Sequence, residues 1–142
     1  MLRLLITLIV IINFSFPVNA GMVSSQTECQ ATDKKFEYSC HMILIKDKSP
    51  LLDYKGLVIA TMPSMAMAHN VPPVSWDQNH KMSGHYHYKI QLEMYGIWLL
   101  TYDIYEPVRD RIMEKLHFSK NGSHPVKKTT KHSHGDHSNH EN

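Results

Sequence analysis

The sequence lacks the motifs that accompany most catalytic sites. It contains no serine–histidine arrangement, no glycine-rich loop of the kind that cradles a phosphate, and no H-E-x-x-H motif. The carboxylates of Glu37, Glu93 and Asp103 are predicted to lie on the solvent-facing sides of strands, where they form no acid–base pair. Because nothing marks a general base beside a nucleophile or a bound ion, we expect that the protein is not an enzyme.

The sequence also has no large excess of positive or of negative charge. The formal net charge is +2 over 142 residues. Nucleic-acid binding leaves a basic stripe or patch in a sequence, and the predicted folded part carries none. We therefore exclude nucleic acid as a partner.

Cysteine is scarce, since Cys29 and Cys40 are the two in the chain. Their spacing is neither C-x-x-C nor that of a zinc knuckle. An even number of cysteines in an exported chain favours a disulfide, which would add about 2–4 kcal/mol of stability. The alternative is a pair of thiolate metal ligands.

The N-terminus has the three-part layout of a secretory signal peptide. Arg3 precedes an apolar run at residues 4–16, and V-N-A follows at 18–20. The run is shorter than the ~20 apolar residues that span a bilayer, so cleavage after Ala20 is favoured over an uncleaved anchor. We expect residues 1–20 to be a signal peptide and the mature protein to be periplasmic or secreted.

Alternating apolar and polar residues predict an all-β domain. Residues 36–44, 84–94 and 97–105 alternate with period two, and 57–62 form a short apolar run. A turn at 95–96 predicts that the last two alternating strands form a β-hairpin. Residues 107–116 are a weak candidate for a surface helix. The predicted core contains Tyr86, Tyr88, Ile90, Leu92, Trp98, Leu100 and Tyr102.

These patterns predict a single immunoglobulin-like β-sandwich over residues 36–118. The polar segment 21–35 is predicted to be loosely ordered apart from Cys29. Residues 119–142 contain five histidines, several lysines and a single large aliphatic residue, Val126. Such a composition buries too little apolar surface to fold, so a disordered tail is predicted.

Two internal segments carry candidate metal ligands. Met65, Met67 and His69 alternate in one loop, and soft thioethers with imidazole suit Cu(I). Met62 continues an apolar strand and is better explained by core packing. On a strand, His85 and His87 share one face about 7 Å apart at Cα and can chelate one ion. The alternatives are a packing loop and two solvated side chains.

The tail supplies a third candidate site. Short histidine tracts bind divalent ions, and a flexible one should take Cu(II), Zn(II) or Ni(II) with little selectivity, copper being favoured by the Irving–Williams order. A polar solubilising tail is the alternative. The histidines concerned are His132, His134, His137 and His140.

Three motifs together resemble the YtkA-like and FixH-type families. They are M-P-S-M at 62–65, G-H-Y at 84–86 and L-E-M-Y-G-I-W at 92–98. The resemblance covers residues 55–104 and leaves the tail outside. It implies an immunoglobulin-type sandwich outside the cytoplasm, and FixH-type members are associated with assembly of a haem-copper oxidase.

Two hypotheses follow. The first is an extracytoplasmic copper-binding accessory protein, with Cu(I) in the fold and Cu(II) or another divalent ion on the tail, that serves copper delivery, copper buffering or oxidase assembly. Its partner would be a membrane-bound copper protein or its assembly complex. The second is a metal-independent module that docks on a membrane or envelope complex.

Overall fold

A computed structural model describes residues 22–65, 71–79 and 82–126 of the chain. Every regular element within these ranges is a β-strand, so this part has no helix that could cross a membrane. The strands are β1 (Ser24–Ala31), β2 (Glu37–Lys46), β3 (Ser49–Pro50), β4 (Lys55–Thr61), β5 (Val74–Ser75), β6 (Asp77–Gln78), β7 (His85–Gln91), β8 (Gly96–Glu106), β9 (Asp110–Ser119) and β10 (Gly122–Pro125).

The strands form two antiparallel sheets that face each other. Sheet A has the order β1-β2-β7-β6, with β3 paired to β2, and sheet B has the order β10-β9-β8-β4-β5. In immunoglobulin terms, β1, β2, β7 and β6 take the places of strands A, B, E and D. Strands β4, β8 and β9 take those of C, F and G. The predicted immunoglobulin-like sandwich is confirmed.

The core lies between the two sheets and contains the residues that the alternation of apolar and polar residues predicted to be buried. Trp98 and Leu100 of β8 are fully buried, as is Tyr86 of β7. The outward residues of the same strands are exposed or half-exposed, which is the pattern of a sheet with one solvated face. The buried members of the predicted core are Tyr86, Tyr88, Ile90, Leu92, Trp98, Leu100 and Tyr102.

The predicted hairpin between β7 and β8 is wrong. Strand β7 pairs with β2 and β6 in sheet A, whereas β8 pairs with β4 and β9 in sheet B. Residues 92–95 carry the chain from one sheet to the other, and Tyr88 meets Tyr102 across the core with ring centroids 6.3 Å apart. Two strands that face each other across a core alternate in the same way as two strands of a hairpin, so periodicity does not distinguish them.

The weak helix candidate at 107–116 is also wrong. From Asp110 onward this segment is strand β9, which pairs with β8 from Gly96↔Phe118 to Ile104↔Asp110. Its charged residues Arg111 and Lys115 occupy the outward face, while Leu116 and Phe118 are buried. The pairing with β8 therefore determines that this segment is a strand, although its polar residues suggested a surface helix.

The sandwich extends beyond residues 36–118 at both ends. The segment expected to be loosely ordered contains β1, which pairs with β2 along its whole length and buries Thr27 and Cys29. Its outward residues Ser24, Gln26, Glu28 and Gln30 are polar because β1 is an edge strand with a solvated outer face. Strand β10 pairs with β9, so residues 122–125 belong to the fold and not to the tail. Residues 1–20, which are predicted to be a signal peptide, and residues 127–142 of the predicted tail lie outside the described residues.

A polar chain joins the two sheets near the edge formed by β1. The Tyr102 hydroxyl lies 2.7 Å from Thr27 Oγ1 and 3.0 Å from the Tyr88 hydroxyl, and all three residues are buried. Beside them the Glu114 carboxylate accepts hydrogen bonds from Ser25 Oγ at 3.0 Å and from the Thr27 amide at 3.3 Å. Burial raises the pKa of both tyrosines and of Glu114.

Candidate metal site

The two cysteines form a disulfide and are not metal ligands. Cys29 on β1 and Cys40 on β2 are directly opposite each other in the register, and both are buried. The predicted disulfide is confirmed. The alternative of a thiolate pair is excluded, because a thiolate ligand must be free.

The outer face of sheet A carries a row of four ionisable side chains. Glu28 of β1 lies opposite His41 of β2, His41 opposite His87 of β7, and His87 opposite Asp77 of β6. Neighbouring strands are about 4.8 Å apart, so each member of the row is next to the following one. Two imidazoles therefore stand side by side with a carboxylate at each end.

His85 adds a third imidazole to this row, and we call His41, His85 and His87 the histidine cluster. His41 Nε2 lies 2.6 Å from His85 Nδ1, and the two ring centroids are 4.7 Å apart. The His41 and His87 ring centroids are 5.0 Å apart. On its other side, His87 Nε2 lies 3.0 Å from the side-chain amide nitrogen of Asn79. His41 is thus the central member of the cluster.

The start of β7 sets the orientation of His85 and His87. Gly84, immediately before the strand, has φ 75°, a left-handed conformation that glycine adopts without steric cost. A Cβ at this position would lie 2.3 Å from Pro50 Cβ. The chain therefore enters β7 at a position where only glycine fits, and the odd-numbered residues that follow point outward while Tyr86 and Tyr88 point inward.

The electrostatics of the cluster favour neutral imidazole at His41. Partial burial lowers the pKa of His41, and the neighbouring His85 and His87 lower it further, against an opposing effect of Glu28. Neutral imidazole is the form that binds a metal ion. Protons therefore compete less for His41 at neutral pH than they would for an isolated histidine.

The side chains are not arranged around an ion as they stand. Among the described residues, no three His, Cys, Asp or Glu groups are placed so that they could hold a metal ion. The facing nitrogens of His41 and His85 are 2.6 Å apart, whereas two nitrogens on one tetrahedral ion are separated by about 3.3 Å, given metal–nitrogen distances near 2.0–2.1 Å. Metal binding would require the hydrogen bond between His41 and His85 to break and the two rings to rotate apart, so that a lone pair of each ring faces the ion.

We call residues 62–69 the methionine loop, and its described part begins as a turn after the end of β4. The Met65 amide donates to the Met62 carbonyl at 3.2 Å, and the Met65 side chain is 42% exposed. Met62 packs against the core, with its methyl group 3.2 Å from where a Cβ on Gly96 would stand. This agrees with the packing interpretation of Met62. Met67 and His69 lie outside the described residues.

The described part of the methionine loop and the histidine cluster lie near different ends of β7. Met62 is beside Gly96, just past the C-terminal end of that strand, whereas His85 is its first residue. The strand has 7 residues, which corresponds to ~20 Å at about 3.3 Å per residue. The structure therefore does not bring Met62 or Met65 together with His85 and His87.

Sequence reasoning found His85 and His87 but missed His41, Glu28 and Asp77. Period-two spacing revealed the first two because they lie on one strand. The other three come from three further strands, and only the register of sheet A brings them together. His41 was recognisable as an outward residue of its strand, but its neighbours were not. The tail histidines His132, His134, His137 and His140 lie outside the described residues.

Compared with known proteins, the chain matches no family model, no curated protein sequence and no solved structure.

Proposed function

We propose that the protein is an extracytoplasmic copper-binding accessory protein and not an enzyme, and that its fold binds Cu(II) at the histidine cluster. The observation that carries the proposal is the contact of three imidazoles, His41, His85 and His87, on the solvated face of sheet A. An accessory role in delivery or buffering suits this position, because a ligand set on an open sheet face can pass its ion to another protein.

The ligand chemistry supports copper. Imidazole suits Cu(II) and Zn(II), and Cu(II) stands highest in the Irving–Williams order. Glu28 and Asp77 at the ends of the row supply negative charge beside the three imidazole donors. The Asn79 amide beside His87 provides the kind of second interaction that orients a ligand imidazole.

Cu(I) is assigned to a separate site in the methionine loop. Met65, Met67 and His69 keep their predicted role, since thioethers prefer the reduced ion. The exposed side chain of Met65 is compatible with this role. The tail, with His132, His134, His137 and His140, is proposed to gather divalent ions outside the fold.

Location and partners belong to the same proposal. A disulfide persists in an oxidising compartment, so the Cys29–Cys40 bridge supports a periplasmic or secreted protein. The resemblance to the YtkA-like and FixH-type families suggests support of haem-copper oxidase assembly. We propose a membrane-bound copper protein or its assembly complex as the recipient.

The test is a Cu(II) competition titration on the full chain. A background variant, which we call the tail variant, has His132, His134, His137 and His140 changed to Ser, so that the tail does not mask a site in the fold. In this background, His41→Thr, His85→Thr and His87→Thr together should abolish the tightest Cu(II) site. Lys89→Thr is the matched control, because Lys89 is an exposed residue on the same face of β7. Equal Cu(II) affinity of the triple variant and the control would reject the proposal.

A metal-independent interaction module is the second candidate. The outer face of sheet B supports it, because Met113 is 65% exposed and Ile97 is 41% exposed. Leu57, Ile59 and Leu99 are half-exposed on the same face. A tail variant that is indifferent to both Cu(I) and Cu(II) would favour this candidate.

A further inference from the structure

A second histidine pair lies on the opposite side of the sandwich. His117 of β9 and His124 of β10 are directly opposite each other in the register, and their ring centroids are 4.7 Å apart with an interplanar angle of 41°. The neighbours Leu116 and Phe118 are buried, so His117 points to the outer face of sheet B. The pair is therefore separate from the histidine cluster, which lies on the outer face of sheet A.

The His117 ring has an unsatisfied nitrogen. Its Nδ1 is buried and has no hydrogen-bond partner. Buried side-chain polar atoms are nearly always paired, so an exception calls for an explanation. An ion held between the two rings would give this nitrogen the partner that it lacks.

The backbone on both sides of the pair is well fixed. Strand β10 pairs with β9 over four positions, and the Val126 amide donates to the Lys115 carbonyl at 3.1 Å. The Ser119 hydroxyl donates to the Gly122 carbonyl at 3.1 Å across the turn. These bonds hold the two Cα atoms in register, so binding would require only side-chain rotation.

We propose that His117 and His124 form a second site for a borderline divalent cation. Two imidazole ligands suit Ni(II), Cu(II) and Zn(II) and disfavour hard ions such as Mg(II) or Ca(II). Exposed Lys115 and Lys120 are near in sequence, so the pair has less favourable electrostatics than the histidine cluster with its two carboxylates. The second site is accordingly the weaker of the two.

The test uses Ni(II) as the probe and the full chain in the tail variant, with His41, His85 and His87 also changed to Thr. Calorimetric titration should show one Ni(II) equivalent. The ring signals of His117 and His124 should broaden together in the proton NMR spectrum, because Ni(II) is paramagnetic. Since loss of even an outer partner of a metal ligand typically costs 10–100-fold in affinity, His124→Gln should weaken Ni(II) binding by at least ~10-fold.

His124 is exposed, so its substitution should not disturb folding, and an unchanged melting temperature verifies this. Ser123→Thr on the same strand is the control and should retain the Ni(II) equivalent. Ni(II) affinity that is the same in His124→Gln and in the control, or broadening that spares both rings, would overturn the second site. Because the histidine cluster is absent from this background, either result is independent of the proposed function.

Discussion

His41 is the residue on which the histidine cluster depends. It is the only member that contacts both of the others, at ring-centroid distances of 4.7 and 5.0 Å. The residue pattern of one strand cannot reveal this position. Period-two spacing identified His85 and His87 on β7, whereas His41 joins them through the register between β2 and β7. His41 precedes His85 by 44 positions in sequence, so the two can be recognised as neighbours only when the pairing of strands is known.

The first prediction concerns acid stability of the metal-free protein. The pKa of His41 is lowered, so the unfolded chain binds its proton more readily than the folded chain. The contribution of His41 to stability is present above about pH 6.5 and is lost as the pH falls through its lowered pKa. We expect His41→Gln to lose less stability than the wild type between about pH 7 and pH 5, measured by urea unfolding with a chelator present. Parallel losses in the two proteins would contradict the prediction.

The second prediction concerns Glu114, whose effect has the opposite sign. Burial raises its pKa above the ordinary 4.5. The unfolded chain therefore releases this proton first, and the contribution to stability falls as the pH rises from about 4.5 through the raised pKa. Glu114→Gln does not titrate, and its amide oxygen can still accept the bond from the Thr27 amide, while the Ser25 hydroxyl, which bonds the second carboxylate oxygen, can accept from the new amide nitrogen. Relative to this variant, the wild type should lose stability between about pH 4 and pH 7 in urea unfolding. If the difference in stability between the two proteins stays constant across that pH range, the raised pKa of Glu114 is contradicted.

Strands and their inward faces were predictable from the sequence, whereas their partners were not. Alternation in β7 and β8 selected buried residues correctly, because burial on one face imposes period two. The same alternation suggested a hairpin where the chain changes sheets. Strand β1 was missed because its inward positions are Thr27 and Cys29, and β9 because its charged residues suggested a surface helix. Each error comes from pairing, which depends on residues far away in the chain.

The third prediction concerns strand β8. Trp98 is fully buried, and its Nε1 donates to the Met94 carbonyl at 3.2 Å. Trp98→Ala should destabilise the fold by ~3–5 kcal/mol, the usual cost of removing a large buried aromatic side chain. Ile97→Ala, at a neighbouring exposed position, is the matched control and should have a small effect. Similar melting temperatures for the two variants would contradict the inward orientation of Trp98.

The whole molecule is proposed to combine sites of different ligand type. Imidazoles of the histidine cluster and the tail suit divalent ions, whereas the thioethers of Met65 and Met67 suit Cu(I). The disulfide between β1 and β2 leaves no thiol to interfere with either. Such a chain would hold copper in both oxidation states outside the cytoplasm.

The fourth prediction is that these sites respond differently to acid. Imidazole must be neutral to bind, so divalent ions should be released as the pH falls below about 6, whereas thioethers do not titrate. In the tail variant, Cu(I) should be retained better than Cu(II) at mildly acidic pH. Changing Met65 and Met67 to Leu should remove this acid-resistant Cu(I), as measured by copper retention after gel filtration. Equal retention by the Leu variant would mean that the methionine loop serves packing alone.

The fold itself is proposed to bind Cu(II) at the histidine cluster. The most direct measurement is a two-dimensional amide NMR spectrum of the tail variant during substoichiometric addition of Cu(II), which broadens signals close to the ion. Binding at the histidine cluster predicts that signals of β2 and β7 around His41, His85 and His87 disappear first, and that a competing chelator restores them. Persistence of these signals while others vanish, or no broadening at all, would contradict it.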